Sequence, residues 1–245
     1  MKKLNYFLAS SIAAVMFLGF SSGILHAGSC ELPDFFSASF TNPLDIDNPY
    51  FPLIPGTTFV YEPVPNEDDV INTITVTNRV KKISVDGKKI KCRVVHDVET
   101  VDGDLTEETY DWYAQDDDGS IWYCGEDTKE YLDDGSVSTE GSWEAGVDGA
   151  LPGYLIPAED YLESGYCYQQ EFYEDHAEDM AKVLRLDADV SLEDGTLFES
   201  CLETKEWTAL DPGNVEHKYY ARGVGLVLIQ ELKEKSVRVE LVSGP

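Results

Sequence analysis

The sequence predicts an all-β, mainly antiparallel fold: a long-stranded meander forming a strongly curved sheet or partly closed barrel, with one short helix. Three observations carry this. Aspartate-glycine pairs recur at Asp86-Gly87, Asp102-Gly103, Asp118-Gly119 and Asp134-Gly135, each 16 residues after the last. Such pairs mark hairpin turns, because glycine accepts positive φ freely and aspartate tolerates it. The stretches between them are rich in valine, threonine and tyrosine, which suit a pleated surface. Lysine and arginine number 18 against 47 acids, too few to lace helices with ion pairs.

Residues 1–27 read as an export signal. Lys2 and Lys3 form a positive start, an apolar run follows from Tyr6 to Phe20, and Leu25-His26-Ala27 ends on a small residue suited to cleavage. The run is short for a membrane span. A Gly-x-Ser-x-Gly match at Gly19 to Gly23 lies in this signal and lacks the strand-turn-helix context of a nucleophile elbow. Ala27-Gly28-Ser29-Cys30 has the small residues of a bacterial lipoprotein cleavage site without the usual leucine, which makes Cys30 a candidate for lipidation.

Residues 28–245 then read as a single β-rich domain, since no linker is polar enough to divide them. Pro52, Pro55 and Gly56 bend the chain ahead of a strand from Thr57 to Glu62. Fourteen residues separate successive turns, enough for one long strand each, so 70–143 reads as a five-stranded meander. A glycine- and proline-rich connection covers 144–166. Its stretch PAEDYLESG offers the short helix, with Pro157 in the first turn, Glu159 and Asp160 near the positive dipole end, and Gly165 after it. C-terminal strands occupy 167–242, and Gly223 and Gly225 suit a bulge or tight curl where a sheet closes.

Removal of residues 1–27 leaves 16 basic against 47 acidic side chains. Such a surface repels nucleic acid and anionic lipid. The run Asp116-Asp117-Asp118-Gly119 resembles part of a calcium loop. With Gly119 in the sixth place, however, the first and twelfth ligand places fall on Ala114 and Gly125, where an EF-hand needs acids. It reads as a turn.

Two-residue turns set Asp111 opposite Glu126 and Glu107 opposite Glu130, and like charges directly across a ladder destabilise it. Residues 97–135 hold fifteen acids and one base, Lys129. Either water solvates this face or a hard cation sits in it. Glu107, Asp111 and Glu126 are accordingly the candidate ligands, and calcium the candidate ion.

In an oxidising compartment Cys92, Cys124, Cys167 and Cys201 are disulfide candidates, with Cys30 left over. The same register sets Cys92 and Cys124 two strand spacings apart, roughly 9 to 10 Å, beyond the reach of a disulfide. Cys92–Cys201 with Cys124–Cys167 and Cys92–Cys167 with Cys124–Cys201 both stay open.

Nothing marks an enzyme. His96, His176 and His217 are the histidines left after the signal, and none sits in a nucleophile or metal motif. Paired carboxylates can be drawn anywhere in so acidic a chain. Trp112, Trp122, Trp143 and Trp207 read as core and cross-strand packing.

The stretches NPYFPLIPGTTFVYE, DWYAQDDDGSIWYCGE, GSWEAGVDGALPG, AEDMAKV and EHKYYARGVGLV together resemble an uncharacterised family of exported bacterial proteins. That resemblance implies export and carries over no activity, ligand or catalytic residue. The last stretch, with Ala221, Gly223 and Gly225, is also similar to the closing strands of lipoprotein-carrier-like half-barrels, which implies an apolar ligand in a concave sheet. The expectation is a non-catalytic exported domain that binds an apolar small molecule, a protein partner or calcium. A hydrolase using paired carboxylates and a purely structural envelope protein are the alternatives.

Overall fold

The computed structural model describes residues 30–232 and 237–245. The expected signal at 1–27 lies outside them. The strands are β1 (Thr58–Val64), β2 (Val70–Val85), β3 (Lys88–Val101), β4 (Asp104–Gln115), β5 (Ile121–Tyr131), β6 (Val137–Ser138), β7 (Trp143–Glu144), β8 (Leu151–Ile156), β9 (Cys167–Gln169), β10 (Glu171–Phe172), β11 (Asp179–Ser191), β12 (Leu197–Thr208), β13 (Val215–Ala221), β14 (Gly225–Glu231) and β15 (Arg238–Ser243). They join one antiparallel sheet in the order β10-β8-β5-β4-β3-β2-β1-β15-β14-β13-β12-β11-β9, with β6 and β7 added beside β5.

The two ends of that path are β10 and β9, which are neighbours in the chain. β10 pairs with β8 and β9 with β11, and between them Gln170 N–H donates to the Asp179 carbonyl at 2.8 Å. One short segment therefore holds both ends of the sheet, and the barrel is nearly closed. The wall is sealed elsewhere by β1, which lies between β2 and the last strand, β15, with Tyr61 opposite Leu241.

The aspartate-glycine spacing places the hairpins correctly, but in two kinds. Asp86 and Asp102 take φ of 45° and 53° ahead of Gly87 and Gly103, the two-residue type I′ geometry. At Asp118-Gly119 and Asp134-Gly135 only glycine is left-handed, and wider loops close between Asp116 and Ser120 and between Leu132 and Ser136.

Two expectations for this region need correction. The fifth meander strand is reduced to β6 and β7, two residues each, because Gly141 and Gly146 turn the chain through positive φ. The expected helix is a single 3-10 turn, Glu159–Tyr161.

The cysteine expectation also changes. The N-terminal segment runs beside β9, with Glu31 N–H donating to the Cys167 carbonyl at 3.1 Å and Gln169 N–H to that of Glu31 at 2.9 Å. This brings Cys30 to Cys167, Cα atoms 4.8 Å apart, in a disulfide. Cys167 thus pairs with neither Cys92 nor Cys124, and the Cys30 sulfur is not free to carry a lipid. Cys92, Cys124 and Cys201 are buried thiols. Five strands intervene between β3, which carries Cys92, and β12, which carries Cys201. The Cys124 thiol is pushed well up by burial and by the Cys92 thiol beside it.

Aromatic side chains pack against one another in the core. Trp122 meets Phe35 and Tyr154 edge to face, and Tyr123 meets Trp143 likewise. Trp112, Trp122 and Trp143 are buried, as core packing requires.

Candidate functional site

The acids expected on a solvated face are buried inside the barrel. Strand alternation puts Glu107, Thr109, Asp111 and Tyr113 of β4 inward and Thr106, Glu108 and Tyr110 toward solvent. The expected pairs of Asp111 with Glu126 and Glu107 with Glu130 are present, and both partners of the first pair are buried. Asp97 and Asn72 complete this wall from β3 and β2.

Each acid here is held by few donors. Asn72 Nδ2 donates to Asp97 Oδ1 at 2.6 Å, Thr109 Oγ1 to Glu107 Oε1 at 3.1 Å and Tyr123 Oη to Asp111 Oδ1 at 2.8 Å. Taking a carboxylate out of water favours its neutral form. Burial therefore raises Asp97 well above the carboxylate range, helped by the charges of Asp111 and Glu107. Burial pushes Glu107 up to about 7, with Glu99 adding to it. It pushes Asp111 to about 6 against the opposing bond from Tyr123.

The facing wall carries its own cation. Lys218 Nζ, on β13, lies 2.9 Å from Glu206 Oε2 and 3.6 Å from Glu216 Oε2. Thr204 and Tyr220 donate to Glu206 Oε1 at 2.8 and 3.1 Å. Burial holds Asp179 at about 7 although Lys218 pulls it down. Glu171, on the closing segment, is raised well above the usual range by burial and by Asp179 and Glu126.

Between the walls lies a cavity of about 80 Å³, room for a few waters. Asp97, Asp111, Glu206, Lys218 and Gln170 give it a polar floor, and Tyr61, Tyr113, Tyr123 and Tyr220 surround that floor. Phe59, Ile74, Val95, Leu155 and Leu226 make the apolar remainder. Phe51, Pro52, Ile74, Lys218 and Val224 are its half-buried lining residues, where it reaches toward the surface. This volume is far below the several hundred Å³ of an ordinary drug-sized pocket.

Of the expected calcium ligands, Glu107, Asp111 and Glu126 share the inward face. Among the described residues, however, no three His, Cys, Asp or Glu side chains converge as metal ligands. The aspartate run is structural. Asp116 accepts from Ser120 N–H and Trp122 Nε1–H, each at 2.8 Å, and Asp117 from Thr41 N–H at 2.7 Å, while Tyr161 donates to Asp118 at 3.1 Å.

The histidines are occupied too: His96 by Glu108 at 3.0 Å, His176 by the Glu174 carbonyl at 2.7 Å and His217 by Glu203 at 2.9 Å. Sequence reasoning missed Asn72, Asp97 and Lys218. For Asn72 the signal was strand alternation, since Val70, Asn72 and Val76 are buried along β2.

No family model and no curated protein matches the chain. Two solved structures are similar to it. One is a candidate exported protein with a YmcC-like fold from Bacteroides fragilis NCTC 9343, at TM-score 0.45 and 11% identity, covering 80% of this chain and 98% of that one. The other is a candidate lipoprotein from Parabacteroides distasonis ATCC 8503, at TM-score 0.44 and 10% identity with the same coverage. Nothing is transferred from either at this distance. No helix among the described residues is long and apolar enough to cross a membrane, which says nothing of spanning by strands.

Proposed function

We propose that the chain is an exported, non-catalytic β-barrel that binds a small ligand in the cavity between its two carboxylate walls. The cavity itself carries this reading: a space that reaches the surface, apolar on its sides and polar at its floor, is how a fold orients a bound molecule. Export is supported by the signal pattern at 1–27 and by the Cys30–Cys167 disulfide, a bond that persists in oxidising compartments.

A raised carboxylate in a tyrosine-lined cavity is also what a glycosidase acid would need. The volume favours binding over hydrolysis, since a cavity of about 80 Å³ is small for a sugar ring on each side of a scissile bond. The test is native mass spectrometry of the chain recovered from a periplasm, beside chromogenic glycoside and ester assays. The expected result is a small non-covalent adduct that is lost on unfolding and absent from a folded Leu226→Trp variant, whose indole would fill the space. No adduct, or a turnover abolished by Asp111→Asn, would overturn the reading.

A further inference from the structure

The bases of this acidic chain are gathered in one place. Of the 16 in residues 28–245, seven lie within residues 79–93, beside a single acid, Asp86. This stretch is the end of the β2–β3 hairpin. Four of the seven are committed within the molecule. Lys81 Nζ lies 2.7 Å from Glu144 Oε2, Lys88 Nζ donates to the Phe35 carbonyl at 2.6 Å, Arg93 Nη2 donates to that of Leu44 at 3.0 Å, and Arg79 covers the Tyr110 ring. Lys82, Lys89 and Lys91 are exposed, and among the described residues none of them forms an ion pair.

Strand pairing sets these three on one face, with Lys82 opposite Lys91 and Ser84 opposite Lys89. Like charges directly across a ladder destabilise it. In a chain of 47 acids and 18 bases, a lysine pair left without an acid points to an anion from outside. That face and Phe40, Thr41 and Pro43 of the N-terminal segment line a groove of about 560 Å³, the volume of a small-molecule site. The groove is held ready, because Lys88 and Arg93 tie the hairpin to carbonyls of the same segment.

The side chains select the kind of anion. Lysines are point charges without the planar fork that matches a carboxylate. Three of them with the Ser84 hydroxyl suit a dianion with three acceptor oxygens, which a phosphate monoester is near neutral pH. Phe40 and Pro43 are half-buried and offer apolar surface to whatever carries the phosphate. A bilayer or a polyanion fits less well, since it would extend past the hairpin over a surface rich in acids, whereas charges more than about 8 Å from a small anion are largely screened.

We propose that this groove binds a small organic phosphate monoester, with the phosphate at Lys82, Lys89 and Lys91 and the organic part against Phe40 and Pro43. It shares no lining residue with the barrel cavity, and stands or falls without it.

Isothermal titration of the full chain with phenyl phosphate, benzoate and inorganic phosphate, at an ionic strength of about 0.15 M, tests this. Phenyl phosphate is expected to bind at one site and more tightly than either of the others. Lys91→Gln should weaken it about tenfold, as loss of one charge at contact does in a partly solvated site. The same variant should hold or raise the melting midpoint, because it relieves the opposed pair, and Lys89→Gln gives the same binding comparison should the first variant fail to fold. Lys182→Gln removes a lysine that also faces a lysine, Lys205, but lies outside the groove, and should leave binding unchanged. Equal losses in Lys91→Gln and Lys182→Gln, or no binding of phenyl phosphate, would overturn the inference. Benzoate binding as tightly would overturn the choice of phosphate, and inorganic phosphate binding as tightly would overturn the part given to Phe40 and Pro43. Sedimentation with phosphatidylglycerol vesicles that is lost in Lys91→Gln, without binding of phenyl phosphate, would overturn it in favour of a membrane surface.

Discussion

Raising the pH from 5 to 8 should destabilise this protein, the opposite of what paired surface carboxylates do. Glu107 shows the size of the effect. Its ordinary pKa is 4.5 and its folded one about 7, so between those values the folded chain holds a proton that the unfolded chain has released. Stability then falls as pH rises, by up to 1.36 kcal/mol per pH unit for one group. Over that window Glu107 alone accounts for about 3 kcal/mol. It is only 8% exposed, so screening by solvent removes little of this. Glu99, also raised to about 7 by burial, and Asp111 and Asp179 act in the same direction, though neighbouring carboxylates share their titration and do not add fully. Thermal melting at fixed ionic strength should show a midpoint about 6 to 12 °C lower at pH 8 than at pH 5. Glu107→Gln should flatten part of that slope, which separates it from general self-repulsion. A midpoint that is level or rises over this range would refute the burial of ionisable groups described here.

Lys218→Met leaves the buried Glu206 and the half-buried Glu216 without their cation and should cost about 3 to 5 kcal/mol in urea unfolding, while Glu206→Gln with Lys218→Met together should cost less than the two changes summed. Cys30→Ser should lose up to about 5 kcal/mol, since the disulfide joins residues 137 apart in the chain; a reductant should lower the melting point of the unaltered chain and leave that of the variant unmoved. Gly153→Ala places a methyl against the Gln169 carbonyl oxygen and the Gln170 backbone, at the point where the sheet meets its own end. Hydrogen exchange should then speed up first in β8 and β9.

Much of the fold was legible because turns are local. The four aspartate-glycine pairs set strand lengths, and the pairing of Asp111 with Glu126 followed from counting back from the turns. The Cys92–Cys124 argument used a register that two bulges alter: shifts between Glu99 and Thr100 and between Asp111 and Tyr113 set Tyr113 opposite Arg93 and Tyr123. A bulge leaves little trace in a strand whose residues on both faces are polar. For the same reason the inward face could not be told from the outward one in β4, where Glu107 and Glu108 differ only in parity. The Cys30–Cys167 bond depends on a segment that runs across the barrel from outside the meander, and pattern within strands says nothing of it. Asn72 and Lys218 looked like ordinary surface residues until the sheet closed over them.

The position of β1 between β2 and β15 also orders events in time. β2 lies a short turn away, but the other neighbour is the final strand, with Tyr61 meeting Leu241 across about 180 residues of chain. Until that strand arrives, β1 presents a bare ladder edge with Phe59 and Tyr61 uncovered, the kind of edge that templates aggregation. A chain cut short before Arg238 would keep that edge permanently and should accumulate as insoluble material even with every residue of the cavity floor in place. Such distant pairing also makes for slow folding, so a chain emerging from its N-terminus needs its first strand shielded by some other surface until its last one is delivered.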